Sequence, residues 1–116
     1  MSGALMDLGW EVRRAGERLV GAPIGRVDET TWEVFSAHLT AVVREAAAAG
    51  APLVIDLSAL EYMSSRGLRA LTIARREAGE ATPITLAAPN ERMREIFAIS
   101  RYDKLFKIVD DVDADA

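Results

Sequence analysis

With 116 residues, half of them hydrophobic, the chain is long enough for one domain with a buried core but too short for two. Its formal net charge of −4 argues against binding to nucleic acid, which normally requires a basic stripe that displaces counterions from phosphates. The absence of cysteine excludes disulfides, thiolate catalysis and cysteine-based metal sites.

The two ends of the chain give expectations about its location. Residues 1–7 lack the basic start and long apolar core of a signal peptide. The longest apolar run, residues 46–55, is interrupted by Gly50 and Pro52 and is too short to cross a membrane. We therefore expect a cytoplasmic protein without a membrane partner. We place the domain core at about residues 8–110 and expect the acidic tail, residues 110–116, to be frayed.

Two strands are predicted at the start of the core. Residues 8–14 alternate between apolar and polar, which is typical of a half-exposed edge strand. Residues 15–17 form a hairpin turn, and a second strand returns over residues 19–24. Since Pro23 has no amide hydrogen, we expect that strand to bend or to direct Pro23 away from a partner strand.

The first helix is the clearest local prediction. Apolar residues recur at helical spacing between Trp32 and Ala46, and Gly50 predicts where the helix ends. Asp28 precedes this helix and is predicted to cap its N-terminus, because aspartate accepts hydrogen bonds from the first free amides.

Strands and helices then alternate to the end of the core. Residues 52–57 predict a buried central strand, residues 58–63 a connection, and Ser65 to about Ala78 a second helix. A strand at residues 84–88 and a helix starting at Pro89-Asn90 follow. This alternation predicts parallel βαβ units in a small mixed β-sheet with helices packed on it, an α/β fold.

Two serines lie where the central strand gives way to the second helix. A helix N-terminus carries unpaired amides and a positive partial charge. Ser64 or Ser65 could therefore cap the helix, and a phosphate placed on either hydroxyl would be tolerated there. On composition alone, a plain cap is the favoured interpretation.

The run from Val54 to Leu68, VIDLSALEYMSSRGL, resembles the signature of STAS domains, specifically the bacterial anti-sigma factor antagonists. That motif reads as a strand, a short acidic turn and then Asp-Ser-Ser/Thr-Gly-Leu. Aligning the motif on Gly67-Leu68 puts Ser65 at the family's phosphorylated serine and Ser64 where the family usually has aspartate. Arg66 then stands at the second Ser/Thr, and Asp28 matches an aspartate that the family carries after its second strand.

The resemblance implies a single STAS domain that acts by binding. It implies that the unphosphorylated chain binds an anti-sigma factor, which is also a serine kinase with an ATPase-type fold, and that phosphorylation of Ser65 releases it. A phosphatase would restore the binding form. Ser64 is the less favoured acceptor. The expected partner-binding residues are Asp28, Ser64, Ser65, Arg66, Gly67, Leu68 and Arg69.

Residues for catalysis are scarce. His38 is the only histidine, lies off the apolar stripe of its helix and is predicted to be a surface residue. Neither a glycine-rich phosphate loop nor a nucleophile elbow is present. We therefore expect no enzyme activity, no cofactor and no metal site.

Two other functions stay open. The chain could be a STAS module that binds constitutively in a transport or signalling complex, with both serines as plain caps. It could also bind a small ligand or a nucleotide in a pocket near Asp28 and Ser65. Arg66 and Arg69 would then be either solvent-exposed residues without a role or contacts to a phosphate.

Overall fold

The computed structural model describes residues 8–113, so the expectations for residues 1–7 and for 114–116 of the acidic tail lie outside the described part. The described part forms six strands, three α-helices and one short 3-10 helix. In chain order they are β1 (Gly9–Ala15), β2 (Arg18–Val27), α1 (Trp32–Ala49), β3 (Leu53–Asp56), β4 (Leu60–Met63), α2 (Ser65–Ala78), β5 (Ile84–Ala87), α3 (Glu91–Ile99), the 3-10 helix (Tyr102–Lys104) and β6 (Lys107–Val109).

The strands form one mixed sheet in the order β1-β2-β3-β5-β6. Only β1 and β2 are antiparallel, since they form a hairpin, whereas β2-β3, β3-β5 and β5-β6 are parallel. The predicted α/β fold is therefore confirmed, including the parallel pairing of the strands near residues 52–57 and 84–88.

Strand β2 is longer than predicted because it pairs with two strands in succession. Its first part, residues 19–21, lies beside β3, and residues 25–27 lie beside β4. Pro23 falls between these two pairings, so its missing amide hydrogen removes no ladder hydrogen bond to either strand. Gly25, at a φ of 113°, lies at the register shift that lets the strand continue.

The prediction of a plain connection at residues 58–63 was wrong. Residues Leu60–Met63 form β4, a four-residue strand parallel to the end of β2. Its two ends, Leu60 and Met63, are buried, whereas Glu61 is exposed and Tyr62 is half-buried. A segment this short shows no periodicity that separates a strand from a loop.

The main core lies between the sheet and the helices. Helix α1 buries the predicted apolar stripe and ends at Gly50, which adopts the left-handed conformation expected of a helix C-terminus. Helix α2 begins at Ser65 and ends at Ala78, as predicted, and buries Leu68, Leu71 and Ala74. These two helices pack against each other, with α1 against β2 and β3 and α2 against β4.

The described part of the acidic tail is packed rather than frayed. The Arg18 guanidinium donates to the Val112 carbonyl at 2.6 Å and lies 3.5 Å from the Asp113 carboxylate. Arg94 pairs with Asp110 at 3.0 Å. Val112 packs against a second, smaller buried cluster that includes Val20.

None of the helices in residues 8–113 is long and apolar enough to cross a membrane.

The assignment of the buried face of α2 predicts how two substitutions differ. Leu71 is only 1% exposed, so Leu71→Ala leaves a cavity and should cost roughly 2–5 kcal/mol of unfolding free energy. Arg75, about one turn after Leu71, is exposed, so Arg75→Ala should cost under about 1 kcal/mol. Urea denaturation of both variants measures the difference. Equal midpoints would contradict this assignment.

Candidate functional site

Helix α2 starts where two parallel strands end. The Ser64 amide donates to the carbonyl of Val27, the last residue of β2, at 2.8 Å, and Ser64 directly follows β4. Ser64 has extended backbone angles, and its hydroxyl oxygen accepts from the Gly67 amide at 3.4 Å. Ser64 is thus the buried N-cap of α2. Its side chain accepts a hydrogen bond from one of the amides in the first turn that have no partner within the helix.

The predicted site residues separate into exposed and buried sets. Ser65, Arg66 and Arg69 are exposed, whereas Gly67 and Leu68 are buried against the core. Ser65 is the first residue of the helix, so its hydroxyl is accessible at the positive end of the helix dipole. Ser65 is therefore open to solvent, whereas Ser64 is buried in the cap.

Gly67 is a glycine for steric reasons. A Cβ at this position would lie 2.4 Å from the Met63 Cγ and 2.7 Å from the Val27 Cγ1, far inside van der Waals contact. Because both neighbours are buried, they have little room to move. The absence of a side chain lets the first turn of α2 lie directly against the ends of β2 and β4.

Arg66 connects the start of α2 to the start of α1. Its Nε lies 3.2 Å from a Glu29 carboxylate oxygen, and its guanidinium lies 5.1 Å from the centre of the Trp32 ring, which is cation–π geometry. Beside this contact, a groove of about 570 Å³ runs between the two helices. The groove is lined by Trp32, Ser36, Ser65, Arg66, Arg69, Ala70 and Ile73.

Asp28 does not cap α1, contrary to the prediction. The helix begins at Trp32, and the Asp28 carboxylate instead accepts from the amide and the hydroxyl of Thr30 at 2.9 and 2.8 Å. These hydrogen bonds hold the pKa of Asp28 below its ordinary value, so the side chain is a carboxylate at neutral pH. Asp28 thus stabilises the turn that precedes the helix, because that turn supplies the donors nearest to it.

The structure brings Asp28 to the same edge of the sheet as Ser65 but not into the groove. Asp28 follows Val27, whose carbonyl accepts from Ser64, yet it is absent from the groove lining. The pocket expected near both Asp28 and Ser65 is therefore replaced by a groove beside Ser65 alone.

Sequence reasoning missed three groove residues. Trp32, Ser36 and Ile73 lie on two helices far apart in the chain, and their proximity follows from the packing of α1 on α2. Ile73 lines the groove and is 41% exposed, so it does not belong to the buried core.

A second aromatic side chain near this edge was also missed. Two guanidinium groups, from Arg26 and Arg92, lie 5.2 Å from the centre of the Tyr62 ring. Arg26 also lies 3.8 Å from the Asp28 carboxylate and 4.0 Å from that of Glu61. Arg26 and Arg92, like Arg66, are thus engaged with aromatic or acidic neighbours.

The described residues hold no cluster of metal-binding side chains, and their histidine packs against a tryptophan. No group of three His, Asp or Glu side chains within residues 8–113 could hold a metal ion. The His38 ring stacks on Trp10 at 4.9 Å, and burial lowers the pKa of His38. The predicted surface histidine is therefore half-buried and serves packing.

Comparison with known families gives one match over most of the chain. A family model described as "Mlab, STAS domain" matches residues 10–110. No curated protein sequence matches the chain significantly.

Comparison with solved structures gives similar folds. The chain is similar to an anti-sigma factor antagonist from Mycobacterium paratuberculosis, with 27% identity, a TM-score of 0.81 and coverage of 91% of this chain and 88% of that one. A putative anti-sigma factor antagonist from Thermotoga maritima gives 14% identity, a TM-score of 0.77 and coverages of 89% and 87%.

A third relative has been solved in two states. The anti-sigma factor antagonist SpoIIAA in its unphosphorylated form gives 19% identity, a TM-score of 0.63 and coverages of 90% and 89%. The phosphorylated form of SpoIIAA from Bacillus gives 19% identity, a TM-score of 0.60 and coverages of 86% and 90%. At this identity the likeness shows the fold.

The different positions of the two serines predict different stabilities for their alanine variants. Ser64→Ala removes the cap of α2 and should cost about 0.5–2 kcal/mol of unfolding free energy. Ser65→Ala removes an exposed hydroxyl and should change that free energy by less than about 0.5 kcal/mol. Chemical denaturation of the pair checks this, and a larger loss from Ser65→Ala would mean that the cap is misassigned.

The close approach at Gly67 predicts that an alanine at this position destabilises the protein instead of stabilising it. Replacing an exposed helical glycine by alanine normally stabilises a protein, but Gly67→Ala should cost about 1–3 kcal/mol because the new methyl overlaps Met63 and Val27. Arg69→Ala replaces an exposed residue of the same helix and is the matched control. It should leave the melting temperature nearly unchanged. Thermal unfolding compares them. A melting temperature of Gly67→Ala at or above that of the parent would refute the steric argument.

Proposed function

Because the chain belongs to the STAS domain family, we propose that it is an anti-sigma factor antagonist of a partner-switching pathway, controlled by phosphorylation of Ser65. Proteins of this class act by binding and are not enzymes. The observation that carries the proposal is the exposed hydroxyl of Ser65 at the start of α2, beside an open groove, while the neighbouring Ser64 is buried in the helix cap.

The unmodified surface supports binding to a protein partner. The groove combines the ring of Trp32 and the side chain of Ile73 with the charges of Arg66 and Arg69. Aromatic and arginine side chains of this kind contribute most strongly to protein–protein binding. In this proposal the partner is an anti-sigma factor that is also a serine kinase with an ATPase-type fold, and its binding frees the sigma factor.

Phosphorylation would act through charge alone. A phosphate adds a charge of about −1.5 to −2 at neutral pH, and the helix N-terminus at Ser65 can accommodate it without refolding. A partner surface shaped around a neutral hydroxyl cannot accommodate the phosphate, because the phosphate would lose its hydration in the interface. A conflict of this kind costs several kcal/mol, so affinity falls by about a hundredfold or more.

The serine at position 64 is compatible with this mechanism. Aspartate and serine are both preferred N-cap residues, so Ser64 performs the structural work that an aspartate would perform at the same position. Compared with an aspartate, Ser64 lacks one negative charge beside Ser65. The proposed pathway includes a phosphatase that restores the hydroxyl, and it operates in the cytoplasm.

One observation favours a second function, constitutive binding as a STAS module. The contact of Arg66 with Glu29 and Trp32, at one end of the groove, does not involve the Ser65 hydroxyl. A partner that contacts only these residues would bind whether or not Ser65 is phosphorylated. The two functions differ in the effect of a charge at residue 65.

The test is phosphorylation by the partner kinase with ATP. We expect one phosphate, on Ser65 by mass spectrometry, and a loss of affinity for the kinase by isothermal titration calorimetry. Ser65→Ala should bind constitutively and resist modification. Ser65→Asp should bind poorly, although its single charge imitates a phosphate only in part.

Ser64→Ala serves as the control, because it should still accept a phosphate on Ser65. A phosphate on residue 64, or equal affinity of Ser65→Asp and the parent, would eliminate the switch. Equal affinity would also establish constitutive binding in its place.

A further inference from the structure

Strand β1 has an open edge. It pairs with β2 along its whole length, from Gly9 to Ala15, and no other strand within residues 8–113 pairs with it. An open edge of seven residues presents a row of backbone donors and acceptors that can pair with another strand. Four consecutive residues of the strand, from Glu11 to Arg14, are exposed.

The hairpin geometry identifies the backbone groups that face outward. Gly16, at a φ of 66°, and Glu17 form a two-residue turn that is closed by the pair Ala15 and Arg18. Opposed residues of an antiparallel pair alternate between hydrogen-bonded and non-hydrogen-bonded positions, starting from this closing pair. The amides and carbonyls of Trp10, Val12 and Arg14 therefore point away from β2.

The side chains of β1 are complementary to those of a second copy of β1 that runs antiparallel to it. In an antiparallel pairing centred on Val12, Glu11 of one copy lies opposite Arg13 of the other, and Trp10 lies opposite Arg14. Each pairing occurs twice because of the two-fold symmetry. The opposite charges of Glu11 and Arg13 attract, whereas a one-residue shift would separate them.

We propose that two copies of this chain pair through the open edges of β1, in antiparallel register about Val12, and form one continuous twelve-stranded sheet. The outward groups of Trp10, Val12 and Arg14 fit this register, because they supply two hydrogen bonds in each of three residue pairs. Val12, which is 43% exposed in one copy, is covered at the centre by its counterpart.

Neighbouring charges support the same register. Glu11 makes no ion pair among the described residues, whereas the Arg13 guanidinium lies 3.3 Å from the Asp56 carboxylate. In the pair of copies, Arg13 lies between Asp56 and Glu11 of the second copy. Both carboxylates attract the Arg13 guanidinium, and Glu11 gains a partner that it lacks in one copy.

Stable interfaces bury roughly 1,200 Å² or more, and pairing through one seven-residue strand of each copy is a small contact, so we expect a weak and reversible association. The site at Ser65 is at the end of β4, which pairs with β2 and not with β1. The pairing therefore leaves both copies of the site accessible.

The test uses charge reversal at the proposed pairs in the full chain. Sedimentation velocity from about 10 μM to about 1 mM at low salt should show a concentration-dependent dimer for the parent. Glu11→Arg alone and Arg13→Glu alone each place like charges opposite one another, and each should weaken the dimer at least tenfold. An equal mixture of the two variants restores both opposite pairs, so a heterodimer should form.

Further variants separate strand pairing from general charge effects. Val12→Pro removes an outward amide that β2 does not use, so the variant should fold but remain monomeric. Glu17→Arg makes the same charge change in the turn, outside the register, and should leave the dimer unchanged. Thermal unfolding checks that each variant folds, since Arg13→Glu also faces Asp56.

A parent that stays monomeric at the highest concentration would overturn the proposal. So would a dimer that Val12→Pro leaves intact, or a mixture of the two charge variants that fails to associate while both are folded.

Discussion

The first turn of α2 can lie against the ends of β2 and β4 only because residue 67 has no side chain. This single close approach fixes the position of the helix relative to the two strands, and the accessibility of the site follows from it. Ser64 becomes the buried cap, Ser65 becomes the first exposed residue, and Arg66 reaches Glu29 and Trp32 at the start of α1. A helix displaced by even one methyl group would move all of these side chains together.

The same geometry explains why two adjacent serines have different chemical prospects. A capping hydroxyl is engaged with the backbone and shielded from solvent, so a phosphate on Ser64 would remove the cap and bury charge. A phosphate on Ser65 would instead lie at the positive end of the helix, in water. The two serines are adjacent in the sequence. The extended backbone conformation at residue 64 makes Ser64 the cap and Ser65 the first residue of the helix.

Local sequence patterns predicted the helices and the parallel strands well. The stripe of α1, the glycine that ends it and the start of α2 at Ser65 are all consequences of short-range spacing and backbone preference. The missed features depend on tertiary packing. Strand β4 exists because β2 extends past Gly25, and Asp28 bonds to the turn because Thr30 lies closer than the helix amides.

The groove was beyond sequence reasoning for a related reason. Its lining joins residues of α1 and α2 that are separated by about thirty positions in the chain, and only the packing of one helix on the other brings them together. Charge and periodicity show which face of each helix is apolar. They do not show how much of that face the neighbouring helix leaves uncovered, as at Ile73.

The anchoring of the last described residues has a practical consequence for handling the protein. Arg18, which binds Val112 and Asp113, begins β2, and Val27 ends it, so the two ends are separated by about 30 Å. A dye or surface tether attached at Asp113 is thus held beside Arg18, which does not line the groove at Ser65. Surface-based or fluorescence measurements made with such an attachment would leave the groove free for a partner.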